Sequence, residues 1–256
     1  MSNGFVKSAA RVMAIFECFE DVKRPLTISE LVRLMGVPQS SMSALMKSLL
    51  SQGFVDYDVR SRAYTPSVRV GLLGNWLMGG PQNQDNLLTM LQDLNSTTGD
   101  TVILGVLNGV EAQYIHVVNS YQRLRFQLRP GMLRPMFRTA IGLVLASQKD
   151  DNEIGRMIRR VNTEAERPEE GVLESEVMER VNDVREKGFL ITANLATPGA
   201  GVVAATLLKN GPSTRPLAIG IGAPHPRIVS GKEFLVESLL NAVNKFANGR
   251  SSAQAA

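Results

Sequence analysis

Apolar residues recur at helical spacing over residues 4–20. Ala9, Met13 and Phe16, flanked by Val12 and Phe19, predict an amphipathic helix that must pack on a neighbour. Between Pro25 and Gly53 the same period returns in two shorter pieces. Thr27 followed by Glu30 is a capping box, Leu31 and Leu34 continue at helical spacing, and Gly36 offers a left-handed stop. Val37-Pro38 makes a turn, because proline suits a first helical turn but cannot continue an earlier one. In the helix that follows, Met42, Leu45 and Leu49 form the buried stripe, with Met46 and Leu50 beside it. The opposite face carries Gln39, Ser40, Ser43, Ala44 and Lys47. That face has two readings. It is the wetted side of an ordinary helical hairpin, or a side that enters a DNA major groove, where small residues admit the backbone and polar groups meet bases and phosphates.

After Gly53 the period shortens. Residues 54–57 and 62–65 predict two strands around a tip at Asp58-Val59-Arg60-Ser61. Three helices and a two-stranded wing make a winged helix-turn-helix, which favours the DNA reading and gives Arg60 and Arg62 phosphates or a minor groove to meet. Val68 to Met78, with Leu72, Leu73, Trp76 and Leu77, predicts a linker helix closed by Gly79-Gly80-Pro81. A helix over Leu87–Leu94 comes next, then strands over 101–107 and 111–118 joined by Asn108-Gly109, a strong hairpin signal. Residues 124–128 alternate with Arg123, Arg125 and Arg129 as a half-buried strand does, and Pro130-Gly131 ends the run. Helices are expected over 139–147, 152–161 and 174–187, with Gly188 as a stop. Strands follow over 189–195, 202–208 and 217–222, with a turn at Asn210-Gly211-Pro212. A last amphipathic helix carries Phe234, Leu235, Leu239, Leu240, Val243 and Phe246. The fold class is α+β, with a largely antiparallel sheet faced by helices. The expected division is a DNA-binding domain over 1–66, a linker helix over 67–83, a second domain over 84–250 and a disordered tail over 251–256.

Composition narrows the function. No apolar run among the 256 residues approaches the roughly 20 a membrane span needs, and residues 5–19 are too charged for a signal peptide. Cys18 alone permits neither an internal disulfide nor a cysteine metal cluster, so a cytoplasmic location is expected, with Cys18 a structural thiol. A net charge of +4 permits a nucleic-acid partner without demonstrating one. Enzymatic patterns are thin: His116 and His225 lack metal-ligand spacing, and no nucleophile elbow, P-loop or dinucleotide fingerprint occurs. Neither an enzyme, a cofactor nor a metal is expected.

Three stretches resemble the IclR (isocitrate lyase regulator) family of bacterial transcription factors. They are VKSAARVMAIFECF with LTISELVRLMGVPQSSMSALMKSLLSQGFV, PGMLRPMFRTAIGLVLAS, and GFLITANLATPGAGVVAATLLKNGPSTRPLAIGIGAP. Their order and spacing cover residues 5–248. The resemblance implies a winged-helix domain, a linker helix and a GAF-like effector-binding domain, assembled as homodimers that pair into tetramers. Two departures matter. The family commonly has arginine where Ala44 stands, so base reading falls to Gln39, Ser40, Ser43 and Lys47. Members that bind small oxo-acids tend to carry an acid, a cysteine and two serines where this chain has Thr192, Val202, Gly220 and Gly222. Thr139, Ala140 and Ile141 match the family's pocket-lining helix start, and Arg123 and Phe126 match the strand opposite.

The expected function is therefore a DNA-binding regulator modulated by a small molecule. The rival is a GAF-like sensor or enzyme with an incidental helical N-terminus. Glycines in strand positions leave room, and the loss of acid, cysteine and serines makes the inferred pocket less polar. An aromatic or otherwise bulky, mostly apolar effector is expected, oriented by Thr139, Thr192, Asn194 and the backbone amides of Ala140 and Ile141, with one carboxylate if Arg123 points inward. The alternative is that Gly220 and Gly222 serve close sheet packing and Phe126 fills the space. Partners are an operator duplex, the effector and a second copy of the chain, with Trp76 as reporter of that interface.

Overall fold

The structure, a computed structural model, describes residues 6–73, 81–122, 126, 128–167, 170–208 and 215–254, with backbone alone for 72, 81–86 and 249–254. It divides into two compact units, Met1–Gln84 and Asp85–Ala256. Arg123, Trp76 and the turn at 210–212 lie outside the described residues.

In the first unit, α1 (Lys7–Val22), α2 (Ile28–Met35) and α3 (Gln39–Ser51) surround a core of Ile15, Phe19, Leu26, Leu31, Val37, Met42, Met46, Leu49 and Val55. The capping box forms: the Thr27 hydroxyl accepts from the Glu30 amide, and the Glu30 carboxylate accepts from the Thr27 amide at 2.9 Å. Gly36 ends α2 at φ 62°. The wing pairs β2 (Val55–Asp58) with β3 (Ala63–Pro66), and a two-residue β1 (Leu26–Thr27) adds a third strand through Leu26 and Tyr64. Several apolar residues face water instead of core. On α1 the buried stripe is Ile15 and Phe19 with Val12 and Phe16 beside it, while Ala9 and Met13 are exposed; Leu34 and Leu50 are exposed too. The buried stripe of α1 packs in the same core as Leu26, which β1 brings in. The described part of the linker is α4 (Val68–Leu73), and α5 (Pro81–Thr98) follows.

The second unit is a six-stranded antiparallel sheet in the order β6-β5-β4-β9-β8-β7. Its strands are β4 (Thr101–Asn108), β5 (Glu111–Val118), β6 (Leu133–Pro135), β7 (Phe189–Ala193), β8 (Ala200–Leu208) and β9 (Leu217–Pro224). One face packs on α6 (Ala140–Ala146), α7 (Asp151–Glu164) and α8 (Glu174–Lys187). The other packs on α5, α9 (His225–Ser230) and α10 (Lys232–Gln254).

Two sequence expectations fail here. Phe126 and Leu128 belong to no strand. The Tyr114 carbonyl accepts from Gly131 and the Tyr114 amide donates to Met132, so the free edge of β5 is taken by 131–135, the segment after the Pro-Gly break. The C-terminal helix continues to Gln254, so residues 251–254 are helical where a disordered tail was expected.

Candidate functional site

In the first unit the chemistry lies on α3 and the wing. Burial of Met42, Met46 and Leu49 fixes the roll of α3, which turns Ser40, Ala44, Lys47 and Ser51 to solvent at helical spacing. Gln39 is exposed at the helix start and Ser43 is half-buried at the margin of that face. The hydroxyls of Ser48 and Ser51 are turned back on the carbonyls of Ala44 and Ser48. Gln39, Ser40, Ser43 and Lys47 make no side-chain hydrogen bond to any of the described residues, so their polar groups are available. The wing tip is folded by the Asp58 carboxylate, which accepts from the Arg60 amide at 2.9 Å and the Ser61 hydroxyl at 2.8 Å. Those two bonds hold the Asp58 carboxyl below its ordinary range. Arg62 takes φ 54°, and both Arg60 and Arg62 are exposed. The Tyr57 and Tyr64 rings meet in a tilted pair, centroids 4.7 Å apart, across the hairpin. Cys18 is half-buried, and burial raises its thiol above the ordinary range, as suits a structural role.

In the second unit the register aligns Thr192, Val202, Gly222 and Thr101 across four strands, on the face that also carries α6. At this end of the sheet is a cavity of about 150 Å³ lined by Thr101, Ile103, Tyr114, Phe126, Arg134, Val202 and Gly222, among others. Ala196 and Thr197 reach it from the β7–β8 loop. Asn194 closes that loop at its base. It sits at φ 58°, donates its amide to Ala200, and accepts from the Gly199 amide through its side chain, both at 2.7 Å. The Gly199 carbonyl in turn accepts from His225 at the start of α9.

Of the residues singled out from the sequence, Phe126, Val202 and Gly222 therefore meet at the cavity. Thr192 lies in the same cross-strand row without lining it, and Asn194 is exposed and shapes the loop rather than the lining. Thr139 caps α6 through the Gly142 amide, and Thr139, Ala140 and Ile141 are buried. Gly220 is backed by Ile141: an added Cβ would stand 2.9 Å from the Ile141 Cδ1 and 3.1 Å from a Val202 methyl. So Gly220 serves close packing, whereas Gly222 opens on the cavity, with Ile103 the nearest side chain at 3.4 Å. Tyr114 and Arg134 were missed from sequence. Their signal is the two-residue period of 112 and 114 with 134 opposite 112, which is visible only once β6 is paired with β5.

Comparison with known proteins agrees with both halves. Residues 8–59 match the family model described as IclR helix-turn-helix domain, and residues 85–251 match the one described as bacterial transcriptional regulator IclR C-terminal. The HTH-type transcriptional regulator XynR of Escherichia coli (strain K12) is 24% identical over 199 residues, covering 78% of this chain and 79% of its own. KdgR of the same organism is 27% identical over 188 residues, covering 72% and 70%. An IclR transcriptional regulator from Alicyclobacillus acidocaldarius superposes with a TM-score of 0.62 at 23% identity, covering 97% of this chain and 99% of that one. These relatives are regulators rather than enzymes, and no described helix is long and apolar enough to cross a membrane. With a winged helix-turn-helix in its first unit and an effector-binding domain of antiparallel sheet and helices in its second, the chain belongs to the IclR family of bacterial transcriptional regulators.

Proposed function

We propose that this regulator binds its operator as a homodimer, through α3 and the wing, and that a single-ring, mostly apolar effector in the cavity beside Gly222 controls that binding. The observation that carries the effector reading is the cavity itself. At about 150 Å³ and lined by Ile103, Phe126, Leu128, Val202 and Gly222, it is the size of an apolar void that holds one benzene ring. It is smaller than the roughly 300–1,000 Å³ that drug-sized ligands occupy. A ring that buries about 150–250 Å² gains roughly 4–6 kcal/mol, which is comparable with the lower estimates of the cost of association. Shape therefore selects the ring, and polar groups at the rim set the affinity.

The DNA reading rests on the small, polar stripe of α3, with Lys47 on it and Arg60 and Arg62 on the wing. Lys47 reaches a base or phosphate, Gln39, Ser40 and Ser43 contribute at the helix start, and the wing arginines take phosphates. Dimerisation is supported by apolar residues left in water in the first unit: Met13 on α1 is 64% exposed, and Val68 and Leu73 on α4 are 79% and 55%. A second copy would cover them. The test is a gel shift on the DNA upstream of the protein's own gene, at fixed salt, with and without single-ring aromatic compounds. Lys47→Ala should cost about 1–3 kcal/mol if it reads a base, and Arg60→Ala with Arg62→Ala should lower the slope of affinity against log salt by about 2. Unchanged affinity in both variants would remove the docking mode.

A further inference from the structure

The cavity carries a charge that the sequence placed elsewhere. Register puts Arg134 opposite Ala112, so its side chain leaves the sheet on the face that holds Ala112 and, diagonally, Tyr114. Both Arg134 and Tyr114 line the cavity. Four other cations of this unit are engaged: Arg138 donates to the Gly171 carbonyl, Arg185 to Asp151, Arg227 to Asp100, and Lys149 to Glu153. Arg134 is half-buried, and its side chain has no ion pair or hydrogen bond with any of the described residues. Among the described residues, no carboxylate lines the cavity. A guanidinium withdrawn from water beside Ile103, Phe126, Leu128 and Val202 loses hydration without compensation, and an anion brought by a ligand restores it.

We infer that Arg134 is the anion-reading residue of the effector cavity, pairing with one carboxylate on a single-ring effector, with the Tyr114 hydroxyl as a second donor. The Tyr114 ring is buried, and burial raises its hydroxyl above the ordinary range while Arg134 opposes that shift. The phenol therefore stays protonated and able to donate, and it lies within electrostatic reach of the guanidinium. A planar guanidinium matches a carboxylate with two parallel hydrogen bonds, which a lone ammonium does not. The remaining lining is apolar, so the ligand has one charged end and one ring. This assignment rests on the cavity beside Gly222 being the effector site.

The experiment measures binding to the full-length chain by calorimetry, using benzoate, phenylacetate and their uncharged amides, with pyruvate and glyoxylate as ringless acids. The wild type is expected to bind the ring acids at least tenfold more tightly than the amides. Arg134→Leu should bring that ratio close to one without weakening the amides, and Arg134→Lys should recover part of it. Arg134→Gln, closer in shape, repeats the test if the leucine variant folds poorly, with operator binding as the check of folding. An acid-to-amide ratio that survives loss of Arg134 overturns the inference, as does a wild type that binds no acid. If pyruvate or glyoxylate binds in an Arg134-dependent way while the ring acids do not, the anion-reading role stands and the single-ring reading falls.

Discussion

Gly220 and Gly222 stand two residues apart on one face of β9, yet they meet different surroundings. Any side chain at 220 runs into Ile141 and Val202, and the Val203 carbonyl lies 3.3 Å from the first added carbon. A side chain at 222 projects past Ile103 into the cavity. The two positions therefore answer mutation in opposite ways. Gly222→Leu is expected to abolish the response to effector while leaving operator affinity and melting temperature close to the wild type, because it fills the cavity without displacing the core. Gly220→Leu should lower the melting temperature instead, by overpacking worth about 1–3 kcal/mol. Paired thermal melts and effector-dependent gel shifts on the two variants decide it. A Gly222→Leu protein that still responds would place the effector elsewhere.

At the level of elements, α2 holds its start through reciprocal hydrogen bonds that lie within four residues of sequence. Thr27→Ala should cost about 1 kcal/mol of stability in the first unit, since it removes an N-cap hydroxyl. Glu30 adds a pH signature. The Thr27 amide, the Arg24 guanidinium at 2.8 Å and the Thr27 hydroxyl hold its carboxyl down, from 4.5 to about 2. A lowered folded-state value means its contribution is full above about 4.5 and is lost as pH falls toward about 2. The stability gap between wild type and Glu30→Gln should therefore close across that window, as denaturant melts at several pH values would show. A constant gap would mean that the carboxylate form is not what α2 uses. This cap was legible in the sequence because Thr27, Glu30 and Gly36 act on their own neighbours. The hairpin at Asn108-Gly109 was legible for a similar reason, whereas Val202 and Gly222 were singled out by the family resemblance and not by any local pattern. Arg134 was not. Residues 123–129 alternate more cleanly than 133–135, so local pattern favoured the wrong segment. The choice was made by Gly131 and Met132 bonding to the Tyr114 backbone, a pairing across 17 or 18 residues that no local period encodes.

Across the whole molecule, control requires that occupancy of a cavity in the second unit change the DNA affinity of the first. Nothing in a single static arrangement supplies that; it requires two states of the protein that the ligand distinguishes. Linkage then constrains the outcome. If the effector changes operator affinity by some factor, operator DNA must change effector affinity by the same factor in the same direction. A typical coupling of 1–3 kcal/mol corresponds to roughly 5–150-fold, which both titrations can resolve. For a dimer with two cavities on one operator, the factor by which saturating effector changes operator affinity should equal the product of the two per-site factors by which saturating operator changes effector affinity, at one salt concentration. Light scattering on the same samples should give a dimer or a pair of dimers, because the apolar residues of α1 and α4 need a second copy to leave water. The Arg134→Leu protein provides the internal control. Its coupling to a ring acid should appear only at concentrations raised by the loss in affinity, with the saturating factor unchanged, since Arg134 touches the ligand and not the DNA. A departure from that product in the wild type would mean that the small molecule also binds outside the two cavities, as it would by competing with the operator in the DNA-binding unit.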